Sequence, residues 1–150
     1  MKKLITITLL LICSFSISGE TLRRLEAYSG RGDMDAQYKL GIWYYSGFTV
    51  DQDFKKAAVL FESSAIQGYV DSQFMLAYLY FYGIGVEKDH VTGLSWFEKA
   101  AEQDNPQAQF DLGYIYYYGI EIPADKEKAL FWMKRALGNG IEEAQEYVPD

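Results

Sequence analysis

The chain has 150 residues, of which 49% are hydrophobic, and this is enough to bury the core of a single domain. It carries 14 Lys and Arg against 21 Asp and Glu, an acidic balance that disfavours binding to nucleic-acid phosphates or to anionic lipid surfaces. Only 3 prolines but 13 glycines occur, which favours helices closed by glycine over a β-sandwich.

The N-terminal segment has the pattern of a secretory signal. Two lysines precede an apolar run from Leu4 to Cys13, and small or apolar residues follow as far as Ser18. A membrane anchor is the alternative, but it needs about 20 apolar residues and this run is shorter. We therefore predict that residues 1–18 are removed on export and that no segment spans a membrane. Residues 19–150 then form a domain in the periplasm or outside the cell.

The only cysteine, Cys13, lies inside this segment. A lipoprotein would be acylated there, but Ile12 stands before it, where that signal requires a small residue. Cleavage near Ser18 leaves a chain without cysteine. Such a chain forms no disulfide and does no thiol chemistry.

The rest of the sequence is organised by an internal repeat of 36 residues. Several residue types return at this spacing, with small and apolar residues at fixed positions between them. The clearest series are Gln37, Gln73, Gln109 and Gln145; Tyr44, Tyr80 and Tyr116; Gly47, Gly83 and Gly119; and Asp53, Asp89 and Asp125. A match of this length over three copies indicates a protein built from stacked units.

In chain order, Thr21–Arg31 is predicted to be the second helix of an incomplete leading repeat. Three full repeats follow, each with two helices. In the middle one, Asp71–Tyr82 has apolar residues at helical spacing, Gly83 ends that helix, and Asp89 caps the next. Ile141–Tyr147 is predicted to be the first helix of an incomplete fourth repeat, made polar by glutamates as a terminal cap should be.

This pattern predicts an all-α fold, a right-handed α-solenoid of stacked helix-turn-helix repeats with terminal half repeats. A single helix pair cannot bury its apolar faces, so the pairs must stack. Small residues recur where the helices of a pair should approach closely. These positions are Gly41, Ala77 and Gly113 in the first helices and Ala57, Gly93 and Ala129 in the second.

The segment 35–41, Asp-Ala-Gln-Tyr-Lys-Leu-Gly, resembles the Sel-one-like repeat (SLR), a 36-residue relative of the tetratricopeptide repeat. Tyr44 and Gly47 continue the match, and the segment 108–113 opens a similar third copy. The resemblance covers about residues 25–150, essentially the whole predicted mature chain.

One departure from this family lies in the turn between the two helices. The family usually has a second glycine two residues after the first. Gly85 keeps it, while Thr49 and Glu121 replace it. This predicts that two of the three turns differ in shape.

The resemblance implies interaction with another protein. Bacterial members of the family are adaptors and scaffolds, often exported, and some resemble inhibitors that neutralise toxic enzymes in the periplasm. We therefore predict a non-enzymatic interaction module or scaffold of the bacterial envelope. A periplasmic immunity protein that inhibits a toxic effector enzyme is the alternative within this class. The acidic charge is expected first to serve solubility, and the alternative is that it also suits a protein partner with basic patches.

First helices usually line the concave side of such a solenoid. Aligned on the Gly41 position, the residues that should point inward are mostly aromatic, and aromatic side chains dominate binding hot spots. The predicted partner-binding residues are Tyr45, Tyr78, Phe81, Tyr82, Tyr114, Tyr117 and Tyr118. The alternative is that these rings are buried between helices, and for Tyr82 and Tyr118 the sequence favours neither reading.

Nothing in the sequence assembles a catalytic or metal site. The one histidine, His90, follows Asp89, and after cleavage no second His or Cys remains to complete a triad or a ligand set. His90 is therefore predicted to be a solvated residue at a helix start. We predict no catalytic residue, no metal and no cofactor. An envelope hydrolase, the remaining alternative, would need a titratable cluster in a pocket.

Overall fold

A computed structural model describes residues 19–149, and within this range the chain is helical with no strand. The helices are α1 (19–29), α2 (Met34–Ser46), α3 (Phe54–Ile66), α4 (Val70–Tyr82), α5 (His90–Glu102), α6 (Pro106–Tyr118) and α7 (Lys126–Gly138), and a 3₁₀-helix (Glu142–Tyr147) follows. The predicted all-α solenoid is confirmed. The predicted signal, residues 1–18, lies outside the described residues. Among those described, no helix has both the length and the apolar character needed to cross a bilayer.

The helices from α2 to α7 form three pairs that repeat in register. Each helix has 13 residues, and α2, α4 and α6 begin 36 residues apart, as do α3, α5 and α7. Local chemistry fixes these bounds. Asp53, Asp89 and Asp125 accept backbone N–H bonds at the start of each second helix, and left-handed glycines end each first helix.

Small residues set the spacing within each pair, as the sequence predicts. A Cβ added at Gly41 would lie 2.7 Å from the Phe61 ring, and one at Gly113 would lie 2.8 Å from the Met133 side chain. At Gly93 it would meet the backbone N of Phe81 at 2.8 Å, so here the two helix backbones themselves are in contact. The helices of a pair can therefore share a dense core.

The recurring glutamine joins each repeat to the one before it. Gln109 is fully buried; its side-chain N–H donates to the Ala101 carbonyl of the preceding repeat at 3.0 Å, and its oxygen accepts from Asn139 at 2.9 Å. Gln73 makes the same two contacts, with the Ala65 carbonyl and with Gln103. Because a buried amide must be satisfied, this pattern fixes the register of the stack.

The turn that contains Glu121 keeps the shape of the glycine turn. Gly85 has φ +72° and Glu121 has φ +59°, so both are left-handed. The predicted difference in turn shape is therefore wrong for the third repeat. In the first repeat the turn does differ, because Thr49 lies outside the left-handed region. A non-glycine residue in this region costs about 1 kcal/mol. The Glu121 carboxylate lies 3.3 Å from both Lys88 Nζ and His90 Nε2 of the middle repeat.

The two ends differ in how closely they follow the repeat. Helix α1 occupies the place of a second helix, as predicted. The last segment is a six-residue 3₁₀-helix and not the predicted α-helix. Its Ala144 is buried against Met133 and Ala136 of α7, while most of the other residues are exposed. So short a segment, held on one side only, gains little from the longer hydrogen-bonded α-helical form.

A shallow apolar groove of about 310 Å³ marks the first repeat. Leu40, Tyr44 and Leu60 contribute to its lining. One and two periods later the position of Leu60 holds Trp96 and Trp132, which pack into the core clusters of their repeats. The groove therefore lies where the other repeats place an indole ring.

Replacing Leu60 with Trp is expected to stabilise the protein. Filling the groove removes additional apolar surface from water, which contributes about 1 kcal/mol and raises the melting temperature by about 4 °C. Thermal unfolding of Leu60→Trp measures this. Ile66→Trp is the matched control, because Ile66 lies on the same helix, is 69% exposed and does not line the groove. An equal gain from both variants, or none from Leu60→Trp, would contradict the explanation.

Candidate functional site

Helices α4 and α6 each end in a pair of stacked tyrosines. Residues four apart share a face of a helix, and the ring centroids of Tyr78 and Tyr82 lie 4.5 Å apart while those of Tyr114 and Tyr118 lie 4.6 Å apart. Tyr82, Tyr114 and Tyr118 are exposed by 53%, 39% and 55%. Two adjacent repeats thus present the same aromatic pair at the same surface.

The two pairs belong to a longer row. On one side, Tyr45 of α2 is close enough to Tyr78 that, after burial, this neighbour raises the pKa of the Tyr45 hydroxyl. On the other side, the Tyr147 ring packs against Tyr114 and Tyr118, at 6.2 and 6.3 Å between centroids. We call the row formed by Tyr45, Tyr78, Tyr82, Tyr114, Tyr118 and Tyr147 the tyrosine strip.

The predicted binding residues divide into three groups. Tyr82, Tyr114 and Tyr118 are exposed, and Tyr45, Tyr78 and Tyr117 are half-buried. Phe81 is 1% exposed, so the prediction that it faces a partner is wrong. It occupies the same register position as Tyr45 and Tyr117, which are half-buried.

Two close contacts explain the burial of Phe81. The approach of Gly93 brings the α5 backbone onto Phe81, and its ring also packs against Phe97, with 6.0 Å between centroids. Because glycine at position 93 leaves no side chain between the helices, the ring lies inside the core. A larger residue there would push the α5 backbone away from Phe81.

Two residues of this surface were not predicted, Asp111 and Tyr147. Both occupy the register position that holds Lys39 and Met75 in the two earlier repeats. The repeat alignment places Tyr147 at this position, whereas nothing in the sequence distinguishes Asp111 there. Tyr147 was missed because the C-terminal segment was interpreted only as a polar cap, and Asp111 because its neighbours are aromatic.

Asp111 is a carboxylate placed among these tyrosines. It is partly buried, and Gln107, one turn earlier on α6, donates to its Oδ1 at 2.9 Å. Within residues 19–149 no lysine, arginine or histidine forms an ion pair with it. Burial raises the pKa of Asp111 to about 6, while the bond from Gln107 lowers it slightly. The Asp111 charge in turn raises the pKa of Tyr82, after burial itself.

Replacing Asp111 with Asn is expected to stabilise the fold near neutral pH. The folded pKa of about 6 exceeds the unfolded value of about 4, so the wild-type stability falls as pH rises from about 4 to about 6 and stays low above that range. Asn does not ionise. The variant should therefore be more stable by on the order of 2 kcal/mol at pH 7 and nearly equal to wild type at pH 4.

Urea unfolding of both proteins at pH 4 and pH 7 measures the difference. The exposed Glu102→Gln on α5 removes the same charge and serves as the control. A difference between wild type and Asp111→Asn that is independent of pH would show that Asp111 is not desolvated in the fold.

His90 does not match its prediction as a solvated residue. Its side chain is only 23% exposed, and its ring packs edge-on against Phe81 with 4.9 Å between centroids. Its Nε2 lies 3.3 Å from the Glu121 carboxylate. The position is equivalent to Phe54 in the first repeat, which explains why the ring turns inward. Among the described residues, no three His, Cys, Asp or Glu side chains come together as metal ligands.

Comparison with known proteins identifies the repeat. A family model for the Sel1 repeat matches residues 35–69, 70–105 and 106–140. These matches follow one another without a gap and cover the three helix pairs from α2 to α7. No curated protein matches the chain.

Two solved structures are similar to the chain. One is a Sel1 repeat protein from Oxalobacter formigenes, 32% identical with a TM-score of 0.71, whose match covers 74% of this chain and 45% of that protein. The other is a protective antigen present in uropathogenic Escherichia coli strains that displays an SLR fold. It is 32% identical with a TM-score of 0.78, over 83% of this chain and 27% of that one. The chain therefore spans less than half the length of either relative.

Proposed function

The chain belongs to the Sel1 repeat family, and we propose that it is a non-enzymatic binding module that docks a partner protein on the tyrosine strip. Sel1 repeats generally mediate protein–protein interaction. Proteins built from them are generally non-catalytic scaffolds. The family thus supports a binding role, and the exposed tyrosines of this chain support the tyrosine strip as the place where the partner docks.

The observation that carries the proposal is the exposure of the tyrosines. Neighbouring aromatic residues such as Phe81 and Phe97 are buried in the core, whereas Tyr82 and Tyr118 are more than half exposed. Tyrosine offers a large apolar face with few rotatable bonds and a hydroxyl that remains hydrated, a combination enriched at binding hot spots. Three repeats and the C-terminal segment contribute to one row. A row of tyrosines in which Tyr82, Tyr114 and Tyr118 are exposed is typical of an interaction site.

The acidic net charge of residues 19–150 supports a partner with a basic surface. Residues 19–150 carry 12 Lys and Arg against 21 Asp and Glu, a formal charge of about −9. Such a surface attracts a positively charged protein and accelerates its association. First helices usually face the concave side of a solenoid, so we expect a convex surface or an extended segment of the partner to bind there.

Export is part of the proposal and rests on residues 1–18. The positive start, the short apolar run and the small residues before position 19 are the features that a signal peptidase requires. A fusion of residues 1–18 to a reporter that is active only outside the cytoplasm tests this. We expect activity from this fusion, and none when Leu9 and Leu10 are both replaced with Lys. A reporter that stays inactive would place the protein in the cytoplasm.

Affinity capture tests the binding role. The purified protein is immobilised and exposed to an envelope extract and a cytosolic extract from its source organism. We expect saturable, stoichiometric retention of one protein with a basic surface. If that protein is a toxic enzyme whose activity falls on binding, the module is an inhibitor, and otherwise it is a scaffold. Retention of no specific protein, or substrate turnover by the purified chain in a hydrolase screen, would contradict the proposal.

A further inference from the structure

Asp111 is the one feature of the strip that packing does not explain. It lies on α6 one turn before Tyr114, and it is close enough to Tyr82 of α4 to raise the pKa of that hydroxyl. The carboxylate therefore lies near Tyr82 of the second repeat and on the same helix face as Tyr114 of the third. The only hydrogen bond given to it by the described residues comes from Gln107.

The cations of the neighbouring segments have other partners. Lys126 donates to the Tyr117 carbonyl at 2.7 Å and lies over the Tyr117 ring, Lys88 pairs with Glu121, and Arg135 pairs with Asp104. Asp111 is thus desolvated without an internal counter-ion. Burial raises the pKa of Asp111 to about 6, and no neighbouring cation lowers it.

We propose that Asp111, with Tyr82 and Tyr114 beside it, forms a subsite for an arginine side chain supplied by the partner protein. This inference rests on the proposed function and specifies what the strip recognises. A guanidinium is planar and weakly hydrated, so it stacks on tyrosine rings while it donates two parallel hydrogen bonds to a carboxylate. Lysine offers a more strongly hydrated point charge and gains less from the rings.

An arginine at this site also accounts for the presence of Asp111, whose charge lowers the stability of the folded protein at neutral pH. A bound guanidinium supplies the missing counter-ion and keeps Asp111 ionised.

A short peptide tests the subsite without the natural partner. Acetyl-Gly-Arg-Gly-amide is titrated into the ¹⁵N-labelled protein at pH 7.5 and followed by NMR, alongside the same peptide with lysine or with neutral citrulline. We expect amide shifts centred on Tyr82, Asp111 and Tyr114 with the arginine peptide, smaller ones with lysine, and none with citrulline. Asp111→Asn should lower the affinity for the arginine peptide by at least tenfold, whereas Glu102→Gln should leave that affinity unchanged.

Other outcomes would overturn the subsite. These are equal shifts with citrulline, unchanged affinity in Asp111→Asn, absence of any shift, or shifts spread over the acidic surface. Shifts of the strip residues that depend on protein concentration alone would assign this surface to a second copy of the chain.

The captured partner separates this inference from the proposed function. If Asp111→Asn retains that partner as tightly as wild type while loss of the tyrosines releases it, the arginine subsite fails and the binding role stands. If the partner binds independently of both, the tyrosine strip is not its docking surface and both fail.

Discussion

Replacing both Tyr82 and Tyr118 with Ser is expected to abolish partner binding while the protein stays folded. Each ring is more than half exposed at the end of its helix, so its removal should cost the fold about 1 kcal/mol at most. At a binding hot spot the loss of one tyrosine costs about 2 kcal/mol, and two together weaken binding by about a thousandfold. Affinity capture and titration calorimetry with the captured partner measure the loss, and circular dichroism confirms the helices.

The matched control for this double variant is Phe131→Ser. Phe131 is 53% exposed, the same as Tyr82, but it lies on α7, a second helix, away from the strip. Binding should be unchanged in this variant. Equal loss in both variants would show that exposed aromatic area in general, and not the tyrosine strip, retains the partner. Full binding by the double variant would show that the partner docks elsewhere and that the repeats carrying the strip act only as a spacer.

The second large effect is expected in the stack itself. Gln109→Leu should destabilise the protein by about 3 kcal/mol, because it removes three hydrogen bonds, to the Ala101 carbonyl, the Asp104 carboxylate and the Asn139 amide. Leucine has a similar volume, so the loss reports hydrogen bonding more than packing. Urea unfolding should show a lower midpoint.

Gln145→Leu provides the comparison at the same position of the repeat. Gln145 is exposed in the C-terminal 3₁₀-helix and bonds only the nearby Val148 carbonyl, at 3.3 Å. Its replacement should change stability by less than about 0.5 kcal/mol. Similar losses in both variants would mean that the glutamine is retained for reasons other than joining one repeat to the next.

Much of the fold follows from local sequence. The period, the helix pairs, the aspartate caps and the glycine ends were all predictable because each depends on a few neighbouring residues. Gly113 and Gly41 also indicated where helices approach, since a missing side chain has a direct steric meaning. The Sel1 resemblance placed these elements in one stacked architecture, and the structure confirms it.

The surface was less predictable because it depends on how paired helices rotate toward each other. Tyr82 and Phe81 are adjacent in sequence, yet one is exposed and the other is in the core, since Gly93 brings the α5 backbone against only one of them. The burial of His90 could not be predicted for the same reason. Its neighbours, Phe81 and Glu121, come from other parts of the chain. Asp111 became visible only when the tyrosines around it were located in space.

Site-specific photo-crosslinking tests the central claim most directly. A benzophenone amino acid is introduced at position 82 in one variant and at position 131 in another, both sites with 53% exposure. If the tyrosine strip is the docking surface, irradiation in the source cells joins the same partner from position 82 and nothing from position 131. A partner joined from position 131, or none from position 82 while capture still succeeds, would contradict the assignment.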